Sequence, residues 1–312
     1  MSDEKVWEKQ ALEHLLLENL KEQRRGRRWR TAVRMMTLLV FVGVAINLFD
    51  IDIGGKSNLG KHTALVDLQG EIAPDTKASA DAINASLQAA FENSESVGVI
   101  LRINSPGGSP VQSGIIHDEM LRLRAKYPEK SLHVVVEEIC ASGGYYVASA
   151  AENIYVDKAS LVGSIGVIMN GFGVTGLMEK LGIERRAITA GKNKALLDPF
   201  SKQDPKQKEF VQGMIGEVHE QFIKVVRSGR GDRLKETPDM FSGLVWNGAK
   251  SVELGLSDGL GSVDGVARDV FKSPTIVDYT MKDNLAERVA KRFGAAMGEG
   301  ATRVLMYGGQ LR

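Results

Sequence analysis

One cysteine, Cys140, stands in 312 residues, so no internal disulfide can brace the fold, and a lone Cys between apolar neighbours reads as a small core residue. No cluster of His, Cys, Asp and Glu has metal-ligand spacing, so neither a metal nor any other cofactor is expected. Net charge is also scarce, at +1, and the chain as a whole carries no signal for a polyanionic partner; no nucleic acid is expected. Internal repeats and low-complexity linkers are absent. Gly54-Gly55-Lys56-Ser57 imitates the end of a phosphate-binding loop but lacks the earlier glycine and the preceding strand, which makes it a coincidence. Long apolar runs are rare too, and there is only one.

With 43% hydrophobic and 25% charged residues, the chain can bury a sizeable core. Its charge is unevenly placed. Between Lys21 and Arg34 lie Lys21, Arg24, Arg25, Arg27, Arg28, Arg30 and Arg34 against the single acid Glu22. This cluster abuts the apolar run Met35 to Phe49, which ends at Asp50 and Asp52. Extended to residues 31–51, with Arg34 snorkelling, the run reaches the ~20 residues that cross a bilayer. A cleaved leader would start near residue 1, so the run reads as a retained anchor, with a buried core helix or a basic nucleic-acid patch as the competing readings. The basic flank then sets the N-terminus in the cytoplasm and everything beyond about residue 50 outside. Ahead of it, Val6, Leu12, Leu15, Leu16 and Leu20 recur at helical spacing, as in a short amphipathic helix. The expected organisation is a cytosolic segment 1–30, a transmembrane anchor 31–51, a linker 52–62, one main domain 63–282, and a basic, Gly-rich tail 283–312.

From Thr63 onward, short β-rich runs alternate with helical stretches, the pattern of an α/β domain with crossover connections. The expected strands are Ala64–Gln69, Val97–Ile103, Leu132–Glu137, Asn153–Val156 and Ile183–Ile188. Ile83, Leu87 and Phe91 mark the inner face of a first helix, and Val111, Ile115 and Met120 that of a second. A third helix spans about 205–228, with Phe210, Met214, Val218, Phe222 and Val225 facing inward and Gly229 and Gly231 ending it.

Four short segments carry the chemistry. Asn104-Ser105-Pro106-Gly107-Gly108 follows a strand and precedes a helix, where glycines let backbone N–H groups approach a ligand; alone it is also an ordinary turn. Cys140-Ala141-Ser142-Gly143-Gly144-Tyr145-Tyr146 puts a hydroxyl at a strand-to-helix turn, where developing negative charge is favoured. It departs from the G-x-S-x-G elbow, since Cys140 holds the place of the first glycine, and read locally Ser142 serves equally well as a helix N-cap. Val162-Gly163-Ser164-Ile165-Gly166 sets a second hydroxyl between glycines. Gly191-Lys192-Asn193-Lys194-Ala195 contains a lysine ahead of an apolar pair. A lysine in water is protonated, and only burial makes it a general base; locally, a surface role fits Lys194 as well. Histidine offers little competition as the base, because none of the five sits in a Gly-bounded turn: His14 and His62 flank the anchor, His117 and His219 fall in helical stretches, and His133 starts a strand.

In this order, together with Gly243-Leu244-Val245-Trp246-Asn247-Gly248-Ala249-Lys250 and Leu254-Gly255-Leu256-Ser257-Asp258-Gly259-Leu260-Gly261, the segments resemble the signal peptide peptidase A family. These are membrane-anchored serine-lysine peptidases on the Clp-protease/crotonase superfold, and the likeness runs from about Thr63 to Val270. It implies an α/β fold, a repeated β-β-α superhelical domain after one N-terminal transmembrane helix. It implies Ser142 as nucleophile, Lys194 rather than Lys192 as base, and Ser164 as the hydroxyl orienting Lys194. Backbone N–H groups of Gly143 and of the Ser-Pro-Gly-Gly turn would form the oxyanion hole, with Gly108 favoured over Gly107 within the turn. The substrates implied are cleaved signal peptides and other apolar peptides at the outer face of a bacterial cytoplasmic membrane. The assembly implied is a homo-oligomeric ring in which neighbours contribute the serine and the lysine of one site. A crotonase-like acyl-coenzyme A enzyme and a non-catalytic membrane scaffold are the alternatives, since fold does not fix function.

Overall fold

The computed structural model describes residues 28–42 and 60–281. The chain divides into two compact units, Leu59–Met281 and the remainder. In the remainder, residues 28–42 form helix α1, whose apolar side chains, Met36 and Phe41 among them, are exposed. Among the described residues no helix is long and apolar enough to cross a membrane. Residues 43–51 of the expected anchor, the amphipathic segment before it and the tail from 283 lie outside the described residues.

The larger unit is built on a sheet of eight strands, β1 (His62–Gln69), β2 (Ser96–Ser105), β3 (Leu132–Ala141), β4 (Asn153–Val156), β5 (Leu161–Gly163), β6 (Val245–Asn247), β7 (Gly259–Leu260) and β8 (Ile276–Asp278). The main path runs β6-β5-β3-β2-β1-β8. Every pairing is parallel except β5 with β6. β3 forks the sheet: His133 to Val135 pair with β4, while Ile139 to Ala141 pair with β5.

Helix α2 (Ala80–Glu92) connects β1 to β2, and α3 (Pro110–Lys126) connects β2 to β3. Each starts on a serine cap: Ser79 accepts from the amide of Ala82 and Ser109 from that of Gln112, with Pro110 at the first turn, where its missing N–H costs nothing. α4 (Gly143–Ala148), α5 (Thr175–Leu181), α6 (Pro205–Arg230) and α7 (Gly248–Glu253) follow. α2 buries Ile83, Leu87 and Phe91 as its periodicity requires. The core joins them to Val66, Leu68, Val99, Leu101, Val134 and Val136 from the central strands. A smaller cluster, Leu65, Ile100, Val135, Val266 and Ala267, covers the other sheet face.

Three expectations from periodicity fail. Ile183–Ile188 forms no strand; its residues are exposed, and no neighbouring strand offers backbone partners. On α3 the inner face is Ser113, Ile116, His117, Met120 and Leu123, while Val111 and Ile115 are exposed, because apolar residues lie all round this helix. On α6 the buried residues are Val211, Phe222, Ile223, Val226 and Arg230; Phe210 and Met214 face outward, since only the C-terminal half packs on the core.

Two buried polar groups fix the far side of the domain. The side chain of Arg230 has no exposure and donates to both oxygens of Asp258, at 2.8 and 2.9 Å, and to the carbonyl of Gly255. Asp258 also accepts from the amide of Ile154, so the pair ties α6 to β4. Burial works against its charge, but the Arg230 guanidinium holds the carboxyl below its usual range. His133 is stacked on Phe271 at 5.0 Å, and burial holds its imidazole below the usual value. Arg233 also donates to Asp258 at 3.0 Å, so Arg230→Ala removes two of the carboxylate's bonds without leaving it unpaired and should cost about 1–3 kcal/mol in urea unfolding; a loss under about 0.5 kcal/mol would contradict the pairing. For His133 the folded state binds its proton less readily than the unfolded chain. Its stabilisation is therefore present above about pH 6.5 and is lost as pH falls from there through the folded value. His133→Phe should flatten that part of a stability-against-pH curve.

Candidate active site

Three loops meet at the C-terminal ends of adjacent parallel strands, the edge where open sheets of this kind collect ligands. β2 ends at Ser105, β3 at Ala141 and β5 at Gly163, and the pairings Ser105 with Cys140 and Ala141 with Gly163 set these ends side by side.

Ser142 is the first residue past β3. Its backbone has φ 51° and ψ −122°, a region that residues with a Cβ rarely enter and that costs about 1–3 kcal/mol. Two hydrogen bonds hold it there: its N–H donates to the carbonyl of Gly163 at 2.9 Å, and its own carbonyl accepts from Tyr146 in α4 at 3.0 Å. Although Ser142 occupies the N-cap position of α4, its hydroxyl makes no capping bond. The local alternative, a structural cap, is therefore not how this serine is used.

The Ser-Pro-Gly-Gly turn packs directly on it. Fully buried Ser105 accepts the N–H of Gly107 at 3.1 Å, the carbonyl of Gly107 accepts from Ile72, and the carbonyl of Ile72 accepts from Ser109. Gly107 and Gly108 have φ of 103° and 146°. A Cβ on Gly107 would lie 2.7 Å from both the nitrogen of Gly143 and the Cβ of Ser142, and one on Gly108 would lie 2.1 Å from the carbonyl oxygen of Ile72. A Cβ on Gly143 would stand 2.5 Å from Ser113 Oγ and 3.3 Å from the nitrogen of Gly108. The N–H groups of Gly108 and Gly143 are thus close neighbours, and neither has a hydrogen-bond partner among the described residues. Gly107, whose N–H is committed to Ser105, is not a free donor.

Ser164 also has a positive φ, 51°, and its N–H donates to the carbonyl of Leu244 at 2.7 Å. His219 donates through Nε2 to the carbonyl of Ile165 at 3.2 Å. None of the described histidines hydrogen-bonds to Ser142: His117 meets Asp118, His62 meets Tyr279, and His133 lies between Phe271 and Tyr155. Cys140 is buried, and burial pushes its thiol well above the ordinary range, so it offers no thiolate.

Lys194 stands apart. It lies in a turn closed by its amide on the carbonyl of Gly191, and it is exposed. That turn belongs to an arm between β5 and α6 that is tied mainly to itself, by Arg185 to Asp198 at 2.7 Å and by the amide of Val174 to the carbonyl of Pro199. The arm exposes Ile168, Phe172, Leu181, Ile188 and Phe200, with Phe172 at 87% and Ile188 at 100%. No hydrogen bond or ion pair among the described residues joins Lys194 to Ser142 or Ser164. Within one chain, then, the geometry gathers Ser142, Gly143, Gly107, Gly108 and Ser164 and leaves Lys194 outside. Sequence reading assigned no individual role to Ser105 or Leu244; each lay inside a segment already picked out, the Ser-Pro-Gly-Gly turn for the first and Gly243 to Lys250 for the second.

A family model for peptidase family S49 matches residues 124–273. A putative protease of Methanocaldococcus jannaschii is 34% identical over 225 residues, covering 70% of this chain and 71% of that protein. This chain belongs to peptidase family S49. S49 relatives include a putative signal peptide peptidase of Enterococcus faecium, 29% identical over 59% of this chain and 53% of that protein. A Brucella melitensis protein named as a sodium/proton antiporter is 42% identical over 59% of this chain, which spans only 25% of its length. The matched S49 stretch holds Ser142, Ser164 and Lys194 but begins after the Ser-Pro-Gly-Gly turn.

The strain at Ser142 can be measured. Ser142→Gly removes a Cβ from a conformation that glycine accepts freely, and after glycine's own entropic cost the net gain should be about 1 kcal/mol, or roughly 2–4 °C in Tm. Ser142→Ala keeps the Cβ and should leave Tm unchanged; equal Tm for the two variants would show that the backbone there is not strained.

Proposed function

We propose that this chain is a membrane-anchored serine endopeptidase, with Ser142 as nucleophile and Lys194 as base, that degrades remnant signal peptides and other apolar peptides. The observation that carries it is the strained Ser142 turn, its hydroxyl free of any capping bond and flanked by the uncommitted N–H groups of Gly108 and Gly143. Donors fixed before reaction stabilise the developing oxyanion without reorganisation, and removing one typically costs about 10²–10³ in rate.

In the reaction, neutral Lys194 takes the proton from Ser142 as its oxygen attacks the peptide carbonyl, then gives it to the departing amine. Water activated by the same amine releases the acyl-enzyme. Ser164 would orient the amine. Such an amine must be dry, and one chain leaves Lys194 exposed. The exposed apolar arm that carries it supports a homo-oligomeric ring, in which a neighbour covers the arm and the lysine completes the neighbour's site. The fork in the parallel-rich sheet supports the Clp-protease/crotonase-like β-β-α superhelix.

The name of the Enterococcus relative supports signal peptides as substrates. The apolar run with its basic flank supports an anchor at 31–51 and a catalytic domain on the outer side of the cytoplasmic membrane. Family S49 membership favours this reading over the acyl-coenzyme A enzyme and over the scaffold.

A fluorophosphonate probe should label Ser142 in the full-length protein, and Ser142→Ala or Lys194→Ala should each lower peptide cleavage by at least about 10³, equivalent to about 4 kcal/mol of transition-state stabilisation. Mixing the two variants under subunit exchange should restore part of the activity. Near wild-type cleavage by Ser142→Ala would overturn the nucleophile, and no recovery on mixing would overturn the shared site.

A further inference from the structure

The segment Gly243 to Lys250 has no part in the chemistry so far, yet it braces the corner on which Ser142 rests. β6 lies antiparallel to β5, with Trp246 opposite Val162 and Val245 opposite Gly163. The indole covers Gly163: a Cβ there would lie 2.8 Å from Trp246 Cε3 and 2.9 Å from Cζ3, and Gly163 has a φ of 114°. Just past it, the N–H of Ser164 is bound by Leu244, and the Cα of Gly243 stands 3.1 Å from the Cβ position of Gly166. The carbonyl that Gly163 presents is the one accepting the N–H of Ser142. A strained backbone persists only where its surroundings over-determine it.

We propose that Trp246 is a positioning residue for Ser142, acting through Gly163. The inference rests on the reading of Ser142 as nucleophile. The ring is partly buried and packs against the main core, so it transmits the rigidity of that core to a three-residue strand near the edge of the sheet. Without the indole, Gly163 has room to turn, its carbonyl leaves the line of the Ser142 N–H, and Ser142 relaxes toward an ordinary backbone. The N–H of Gly143 shares a peptide plane with the Ser142 carbonyl and turns with it, so attack and oxyanion stabilisation weaken together and the defect falls on kcat rather than on peptide binding.

The test compares full-length wild type, Trp246→Ala and Trp246→Phe for fluorophosphonate labelling of Ser142 and for kcat and KM on an apolar fluorogenic peptide. Trp246→Ala should lose about 100-fold in labelling rate and in kcat with KM changed less than about threefold, and Trp246→Phe should recover most of the loss. Wild-type kcat in folded Trp246→Ala, or a loss confined to KM, overturns the inference. Absence of labelling in the wild type overturns the nucleophile reading itself, and this inference with it. Should Trp246→Ala fail to fold, a second measurement decides. Of three tryptophans, Trp7 and Trp29 can be replaced by Phe in the full chain, so that Trp246 alone reports. Its emission should shift when Ser142 is acylated, and unmoved emission overturns the inference.

Discussion

The hydrogen bond from the N–H of Ser142 to the carbonyl of Gly163, at 2.9 Å, joins two strand ends that are neighbours only because β3 forks. Were β3 to pair with β4 along its whole length, no β5 would lie beside Ala141, and nothing would hold Ser142 at φ 51°. The fork thus comes before the site. Along one edge of β3 the partner changes from β4 to β5, which places Gly163 beside Ala141, and the Ser142 hydroxyl stays outside the helix cap that its position would otherwise invite.

Glycine does different work at each point of this corner. Gly107, Gly108 and Gly163 have positive φ, which a side chain resists, whereas Gly143 is required by contact, with Ser113 Oγ where its Cβ would be. Because the reasons differ, the demand for glycine is written into the sequence several times over. That redundancy is why the Ser-Pro-Gly-Gly, Ala-Ser-Gly-Gly and Gly-Ser-Ile-Gly segments could be picked out without coordinates. The central strands were legible for a similar reason, since Val97 to Ile103 and Leu132 to Glu137 are apolar runs long enough to read. The strands β5 to β8 hold two or three residues each, too few to show a period, and what makes them strands is a partner supplied by the fold.

The failures share a cause. Ile183, Ile188, Phe210 and Met214 all look like core residues because they are apolar, and all are exposed on the arm or on the N-terminal half of α6. Hydrophobicity in a sequence says that a residue will be covered, not by what. Val111 and Ile115 mislead in the same way, being apolar positions on α3 that are exposed. The free-donor choice between Gly107 and Gly108 could not be settled from sequence. It depends on the hydroxyl of Ser105 bonding to one of two consecutive amides, a matter of a single side-chain orientation.

Lys194 belongs to that same set. On the proposed reading, the exposed apolar arm and the exposed lysine pose one problem rather than two. An uncovered patch containing Phe172, Ile188 and Phe200 is costly in water, and a solvated lysine cannot accept a proton at neutral pH. A second copy packed on the arm would cover the patch and dry the amine in one event, so assembly would switch on the base. A solitary chain, with its serine strained and its donors in place, would then lack only the proton acceptor. On that reading, placing the base on the segment that most needs a partner would link activity to assembly through desolvation alone.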